Sequence, residues 1–459
     1  MNFYLKTATL LLCSIVACSF TSPAYAQDSR VVIEPVVPPT CTTLSAVFAR
    51  ADSVEDSQVS KNSDDTSRIQ QAIDSCPAGH AVQLAGNPAS AAFVAGPLLL
   101  HGGVTLLIDA GVTLFASTDA QVYDNGLHTC GSNNAKGKGC RPFILIENSH
   151  GDGIMGDGVI DGQGGQLMRG KKESWWQLSR RAQKESSQQN VPHMLTINRS
   201  GNVVLYHITL RNSLEYHVIL HEVDGFTAWG IKIDTPATAR NTDGIDPISS
   251  RNVTVIHSSI RAGDDNISIK SGNAIASENI SIIHNHFYSG HGMSIGSNTD
   301  GGVHHVLVQD LTMDGTTSGL RIKSDISRGG LVSDIHYQDI CLRNVRAPFD
   351  IDTAYTRGAV GDKIPDYQDI FFDHVHSVNS GQLIFHGLDS QHLLGIHLSD
   401  VVIDGFSGMS AQHAHFTIGP GVVRPVPEGS DVQVEGTSSA GEAIVCDGRF
   451  ADFPASASR

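Results

Sequence analysis

Asn252-Val-Thr-Val-Ile256 and, 27 residues further on, Asn279-Ile-Ser-Ile-Ile283 share one pattern, a small polar turn residue followed by alternating apolar and β-branched side chains. The unit also begins near Asn202, Gly225, His305, Asp334, Asp369 and Gly395, so successive starts are 23, 27, 27, 26, 29, 35 and 26 residues apart. Alternation with period 2 inside a unit specifies a strand. A repeat of this length specifies one turn of a solenoid whose strands stack on those of the next turn. Helical heptads are absent, and so is the fixed leucine spacing of leucine-rich repeats, which leaves an all-β parallel β-helix as the expected fold.

A solenoid must cover its ends. Asp64-Asp65-Thr66-Ser67, followed by Ile69, Ala72, Ile73 and Cys76, combines candidate N-cap residues with i, i+3, i+4, i+7 apolar spacing and predicts a short amphipathic capping helix. The N-terminal cap is placed at about residues 40–100. The Pro-, Gly- and Ser-rich tail predicts an irregular C-terminal cover at 420–459. Residues 165–195, with Trp175, Trp176 and many charged and amide side chains, interrupt the repeat. They read as a solvated surface loop or helix, with a wall of a binding cleft as the alternative.

Residues 1–26 read as a secretory signal peptide: Lys6, an apolar stretch from Thr7 to Ala17, and Ala24-Tyr25-Ala26 before the cleavage site. That stretch is shorter than the ~20 residues needed to span a bilayer. Lipid attachment at Cys18, after Ile15-Val16-Ala17, is the minor alternative to simple export. Residues 27–459 then form a single β-helix catalytic domain, secreted and extracellular. Six cysteines remain in it, Cys41, Cys76, Cys130, Cys140, Cys341 and Cys446, which in an exported chain suits disulfides. Proximity favours Cys130 with Cys140; Cys41 with Cys76 and Cys341 with Cys446 complete one of the possible pairings.

Of 459 residues, 40% are hydrophobic and 17% charged, which excludes a coiled coil or a disordered acidic chain. The net charge of -16 disfavours non-specific binding to nucleic acid or an anionic membrane. A monomer is expected, and nothing in the sequence implies a metal or an organic cofactor.

Two carboxylate clusters stand out: Asp243 and Asp246 in Asn241-Thr-Asp-Gly-Ile-Asp246, and the pair Asp264-Asp265, 21 and 22 residues after Asp243. In a parallel β-helix that separation places residues on neighbouring strands roughly 4.8 Å apart, so three acids crowd one surface. Such crowding raises the pKa of at least one of them, as a general acid requires. The next turn brings Gly290-His291-Gly292, and the one after brings Arg321-Ile322-Lys323, whose two cations share a strand face. Tyr355 follows one turn later. Cations beside carboxylates on one exposed face suggest an anionic substrate lying over the acids.

In this order, Asn241-Thr-Asp-Gly-Ile-Asp246, Gly263-Asp-Asp265, Gly290-His-Gly292 and Arg321-Ile-Lys323 resemble the four signature segments of the polygalacturonases, the pectin-cleaving glycoside hydrolases of family 28. The resemblance spans most of residues 40–420 and includes Gly156-Asp-Gly-Val-Ile-Asp-Gly162; Gly292-Met-Ser-Ile-Gly-Ser297 is most similar to secreted bacterial endo-acting members. It implies a single-stranded right-handed parallel β-helix and inverting hydrolysis of α-1,4 bonds in polygalacturonate. It further implies Asp264 as proton donor, Asp243 and Asp265 as the groups activating water, and His291 as the residue tuning the donor. Arg321, Lys323, Tyr355 and Asn241 are implied to bind substrate. Many fungal members have Gln where this chain has Gly263, which touches subsite detail.

Plainer readings compete for several residues. Asp-Gly is a common turn pair, so Asp243 gains significance only from the acids one turn later. Asn298-Thr-Asp-Gly301 repeats that signature with no aspartate pair after it and reads as a turn. Asp246 reads as a brace for its own turn, and the sequons at Asn198, Asn252, Asn266 and Asn279 fall in or beside strands. An exo-acting polygalacturonase, a rhamnogalacturonan hydrolase, a pectate lyase with an acidic calcium site and a non-enzymatic β-helix adhesin are the alternatives.

Overall fold

A computed structural model of the chain describes residues 27–49 and 64–455; the signal segment and Cys18 lie outside them. Of the described strands, 31 join in one parallel sheet wound on itself, and Asn133–Asn134 pairs separately with Gln188–Gln189. Register shows the winding directly. Val203, Phe226, Val253, Ile280, Val306, Ile335, Ile370 and Ile396 are successive partners across neighbouring turns. A second column runs Val218, Ile245, Ile267, Met293, Leu320, Phe349. A third runs Ile160, Leu210, Ile233, Ile260, Phe287. All these side chains are buried in one continuous core, each stabilising the fold by roughly 1.5–3 kcal/mol. The chain is thus a three-sided parallel β-helix.

The sequence repeat has a local cause. Asn202, Gly225, Asn252, Asn279, His305, Asp334 and Asp369, where the repeat units begin, all have positive φ between 50° and 93°. Asn, Asp, His and Gly tolerate that left-handed conformation best.

The capping helix spans Thr66–Ser75 and buries Ile69, Ala72 and Ile73, as its spacing predicts. The capping detail differs. Asp65 precedes the helix, but its carboxylate accepts from the Val94 N–H at 2.8 Å and pairs with Arg68 instead of capping. The three disulfides are Cys41–Cys76, Cys130–Cys140 and Cys341–Cys446.

Two segments depart from expectation. The 165–195 insertion is not a merely solvated excursion. It holds a helix, Trp175–Lys184, with a Ser174/Gln177 capping box, and Trp175 is fully buried. Beyond the helix, Gln189 Nε2 donates to Glu215 at 2.7 Å and to Asn241 Oδ1 at 3.2 Å, tying the insertion to the signature segment. The tail does more than cover the last turn. After pairing Ser430–Glu435 with Gly408–Ile418, it runs back across earlier turns, where Arg343 lies over Phe450 and Arg261 over Phe453.

Candidate active site

The strands of the second column carry the site: Asp265 and His291 begin two of them, and Arg321 and Lys323 lie in the second half of the next, Ser318–Lys323. Asp265 pairs in register with His291, Ser294 with Arg321, and Gly296 with Lys323. The stacking that buries Ile267, Met293 and Leu320 therefore gathers the polar groups beside them.

Asp265 is the anchor. It is only 2% exposed. Its Oδ1 accepts from the Ser294 hydroxyl at 2.7 Å, its Oδ2 accepts from Lys323 Nζ at 2.7 Å, and Arg321 lies 3.6 Å away. Burial alone would raise its pKa, but the Lys323 and Arg321 cations outweigh burial and hold the carboxyl well below the usual range. Arg321 also contacts Asp350 at 2.9 Å, and it and Lys323 each lie 5.3 Å from the Tyr355 ring centre. Tyr355 is 41% exposed, so its ring caps the two cations on the solvent side.

Asp243 is a second buried acid with different neighbours. Lys270 Nζ sits 3.3 Å from its Oδ2 and 2.5 Å from Asp246 Oδ2. Burial, then the charges of Asp246, Asp264 and Asp265, push the Asp243 carboxyl well above its usual range against the pull of Lys270. Burial likewise pushes Asp246 up to about 6. The raised pKa expected from crowding thus falls on Asp243 and Asp246. Below them, the fully buried His217 holds the Asp243 carbonyl and the Thr235 hydroxyl, both at 2.8 Å, and burial lowers its pKa to about 4.

Asp264 lies at the surface of the cluster, with Oδ1 3.7 Å from His291 Nε2. His291 Nδ1 is hydrogen-bonded to the Thr317 hydroxyl, which donates its own proton to the Gly290 carbonyl. Nδ1 therefore carries the hydrogen, and Nε2 presents a lone pair toward Asp264. Burial lowers the His291 pKa and favours this neutral form. Gly290 has φ +72°, and a Cβ there would meet the Asp264 carbonyl at 2.2 Å. At Gly263 a Cβ would meet the Ala239 carbonyl at 2.0 Å, so this backbone has no room for the fungal Gln.

The structure thus brings together every residue singled out in the sequence, with Asn241 at the edge on the insertion side. The repeated signature at Asn298–Gly301 is a turn closed by the Gly302 N–H on the Thr299 carbonyl at 2.8 Å. Sequence reading missed Lys270, Ser294, Thr317 and Asn266. Asn266 is fully buried and donates to the carbonyls of Ser289 and His291 at 2.6 Å, which fixes the histidine turn and removes its sequon from the surface. Lys270 had a signal: it lies 27 residues after Asp243 and 24 after Asp246, about one turn.

Asp264, Asp265 and His291 have donor atoms within 4.8 Å of one another, the one such group among the described residues. Lys323 and Arg321 already supply positive charge beside Asp265, which disfavours a cation there. One face therefore offers a partly buried acid, two buried acids with opposite tendencies to ionise, a neutral imidazole and fixed cations. That set can transfer protons around a bond and hold an anionic ligand.

Comparison with known proteins points the same way. The family model of the glycosyl hydrolases family 28 matches residues 76–420. The chain is 45% identical over 383 residues to an endo-polygalacturonase of Pectobacterium parmentieri, covering 83% of this chain and 91% of the relative. It is 36% identical to a polygalacturonase of Ralstonia nicotianae, covering 96% of each. It superposes on the solved polygalacturonase from Erwinia carotovora ssp. carotovora with a TM-score of 0.76 and 41% identity, covering 85% of this chain and 100% of that one.

Proposed function

The chain belongs to the glycosyl hydrolases family 28, and on that premise we propose that it is a secreted polygalacturonase that hydrolyses α-1,4-galacturonosidic bonds of demethylated pectin with inversion, cutting within the polymer. The observation that carries this reading is the gathering of Asp243, Asp264, Asp265, His291, Arg321 and Lys323 on one face, with Lys323 2.7 Å from Asp265 and His291 3.7 Å from Asp264.

In this reaction Asp264 gives its proton to the glycosidic oxygen as the bond to the anomeric carbon breaks. A water held by Asp243 and Asp265 attacks that carbon from the opposite face, and Asp243 takes the proton the water loses. Proton loss and gain balance, and the two acids exchange their protons with solvent before the next turnover. Neutral His291 tunes the protonation of Asp264 through the Nε2 lone pair that faces it. Arg321 and Lys323 hold sugar carboxylates, Tyr355 supports the ring above them, and Asn241 orients the sugar on the other side. Export is supported by the engagement of all six remaining cysteines in disulfides.

Asp264→Asn tests the reading. The variant loses reducing-end release from polygalacturonate by about 10²–10⁴-fold while still binding the polymer. Unchanged turnover sinks the assignment of the donor, and an EDTA-sensitive unsaturated product identifies a lyase instead. A viscosity drop that runs far ahead of reducing-end release establishes internal cutting.

A further inference from the structure

Lys270 has no part in the proposed reaction, yet its ammonium is the one cation in an ion pair with the Asp243 carboxylate among the described residues. Its ammonium lies between Oδ2 of Asp243 at 3.3 Å and Oδ2 of Asp246 at 2.5 Å, and the Tyr216 ring centre is 5.3 Å away. Both carboxylates turn their other oxygen, Oδ1, into buried space with no hydrogen-bond partner among the described residues. A buried carboxylate oxygen without a partner is a place for a water or a substrate hydroxyl. The charges of Asp264 and Asp265 act on the Asp243 carboxyl, and in the proposed reaction this acid holds the attacking water.

We propose that Lys270 is a positioning residue: it holds Oδ2 of Asp243 against Oδ2 of Asp246, so that Oδ1 of Asp243 stays turned to the attacking water, while Asp246 sets how much of the ammonium Asp243 receives. This rests on the reading of Asp243 as the base. The geometry makes the arrangement a competition. One lysine serves two carboxylates and lies closer to Asp246. Lysine suits the position because its ammonium is a compact charge with three donors, which can bridge two acids without the planar fork of arginine. The other charged or titratable groups that face this pocket are Tyr216, Glu215 and His221 from the preceding turn and Asp264 and Asp265 from the next.

A competition gives the two partners opposite effects. Removing Lys270 takes away the countercharge of Asp243 and raises its pKa. Removing the charge of Asp246 takes away a like charge and frees the ammonium, which lowers it. In a base mechanism the acid limb of kcat/KM reports the ionisation of Asp243. Lys270→Met therefore moves that limb to higher pH by about one unit or more and lowers kcat by roughly 10²-fold with KM little changed. Asp246→Asn moves the limb to lower pH, and Lys270→Arg restores part of the loss.

The test is the pH profile of polygalacturonate hydrolysis by the mature chain and these three variants, paired with ¹³C NMR titration of the Asp243 carboxyl without substrate. Opposite shifts in both measurements support the proposal. Shifts in the same direction, or no shift in variants that retain the native circular dichroism spectrum, overturn it. Movement of the alkaline limb overturns it too, because Asp243 would then be the donor. Should Lys270→Met fail to fold, Asp246→Asn and Lys270→Arg decide. A wild-type chain that releases no reducing ends defeats the enzymatic reading and the catalytic half of the proposal, while the NMR titration still supports or overturns the shared ammonium.

Discussion

Asp265 and Asp243 stand on adjacent turns of one solenoid face and are almost equally buried, at 2% and 4% exposure, yet their surroundings drive them apart. Asp265 has the Lys323 ammonium and the Ser294 hydroxyl, with a second cation, the Arg321 guanidinium it shares with Asp350, 3.6 Å away. Asp243 shares one ammonium with a second buried acid. The first is held as an anion and the second is pressed toward its protonated form. Burial therefore does not set the charge state of an acid here; the number of countercharges per carboxylate does.

Lys323→Met breaks the comparison hardest. It strips the closest countercharge from an acid that has no open solvent to turn to, and removal of one partner from a buried pair costs about 3–5 kcal/mol. Chemical denaturation at pH 7 reads the loss. Lys270→Met costs less, since Asp243 and Asp246 already lean toward the neutral form that burial prefers. Equal losses at the two positions would mean that packing, not charge, distinguishes these corners.

The half of this comparison that is legible in the sequence is the half built from spacing. Asp243, Asp264, His291 and Arg321 fall at intervals of about one turn because β-branched runs with left-handed turn residues wind at that length. Alternation then puts Arg321 and Lys323 on one face. Lys270 obeys the same interval but sits in an ordinary strand sequence, Asp265–Ser271, where nothing local marks its ammonium as enclosed. Ser294 and Thr317 act through single hydroxyls whose aim depends on rotamers. The insertion and the tail owe their places to contacts far along the chain, such as Trp176 Nε1 on the Ser213 carbonyl at 2.8 Å and Tyr288 against Phe453. No repeat encodes such contacts.

His217 sharpens the Asp243 corner by a smaller amount. Its imidazole is buried and neutral, with a pKa lowered from 6.5 to about 4. As pH falls below 6.5 the unfolded chain takes up the proton first, so the stability His217 contributes above 6.5 is lost between 6.5 and 4. His217→Gln should shrink the stability difference between pH 7 and pH 4 by up to about 3 kcal/mol. Denaturation curves at the two pH values check this, and an unchanged difference would show that the imidazole does not stay neutral in the fold.

Ser294→Ala is the mildest change and separates hydrogen bonding from charge at the Asp265 corner. It removes the hydroxyl 2.7 Å from Oδ1 but leaves Lys323 and Arg321 in place. A hydrogen bond to a charged group contributes about 1.5–3 kcal/mol. With the anion still doubly compensated, the loss should fall near the lower end of that range, below that of Lys323→Met. Asp265 should also remain ionised, as a ¹³C carboxyl titration would register. If the serine variant loses as much stability as the lysine variant, or if Asp265 begins to titrate in the usual carboxylate range, then directed hydrogen bonds rather than countercharge keep this acid an anion. The contrast with Asp243 would then have to be traced to the partnerless oxygens at the Lys270 end of the cluster.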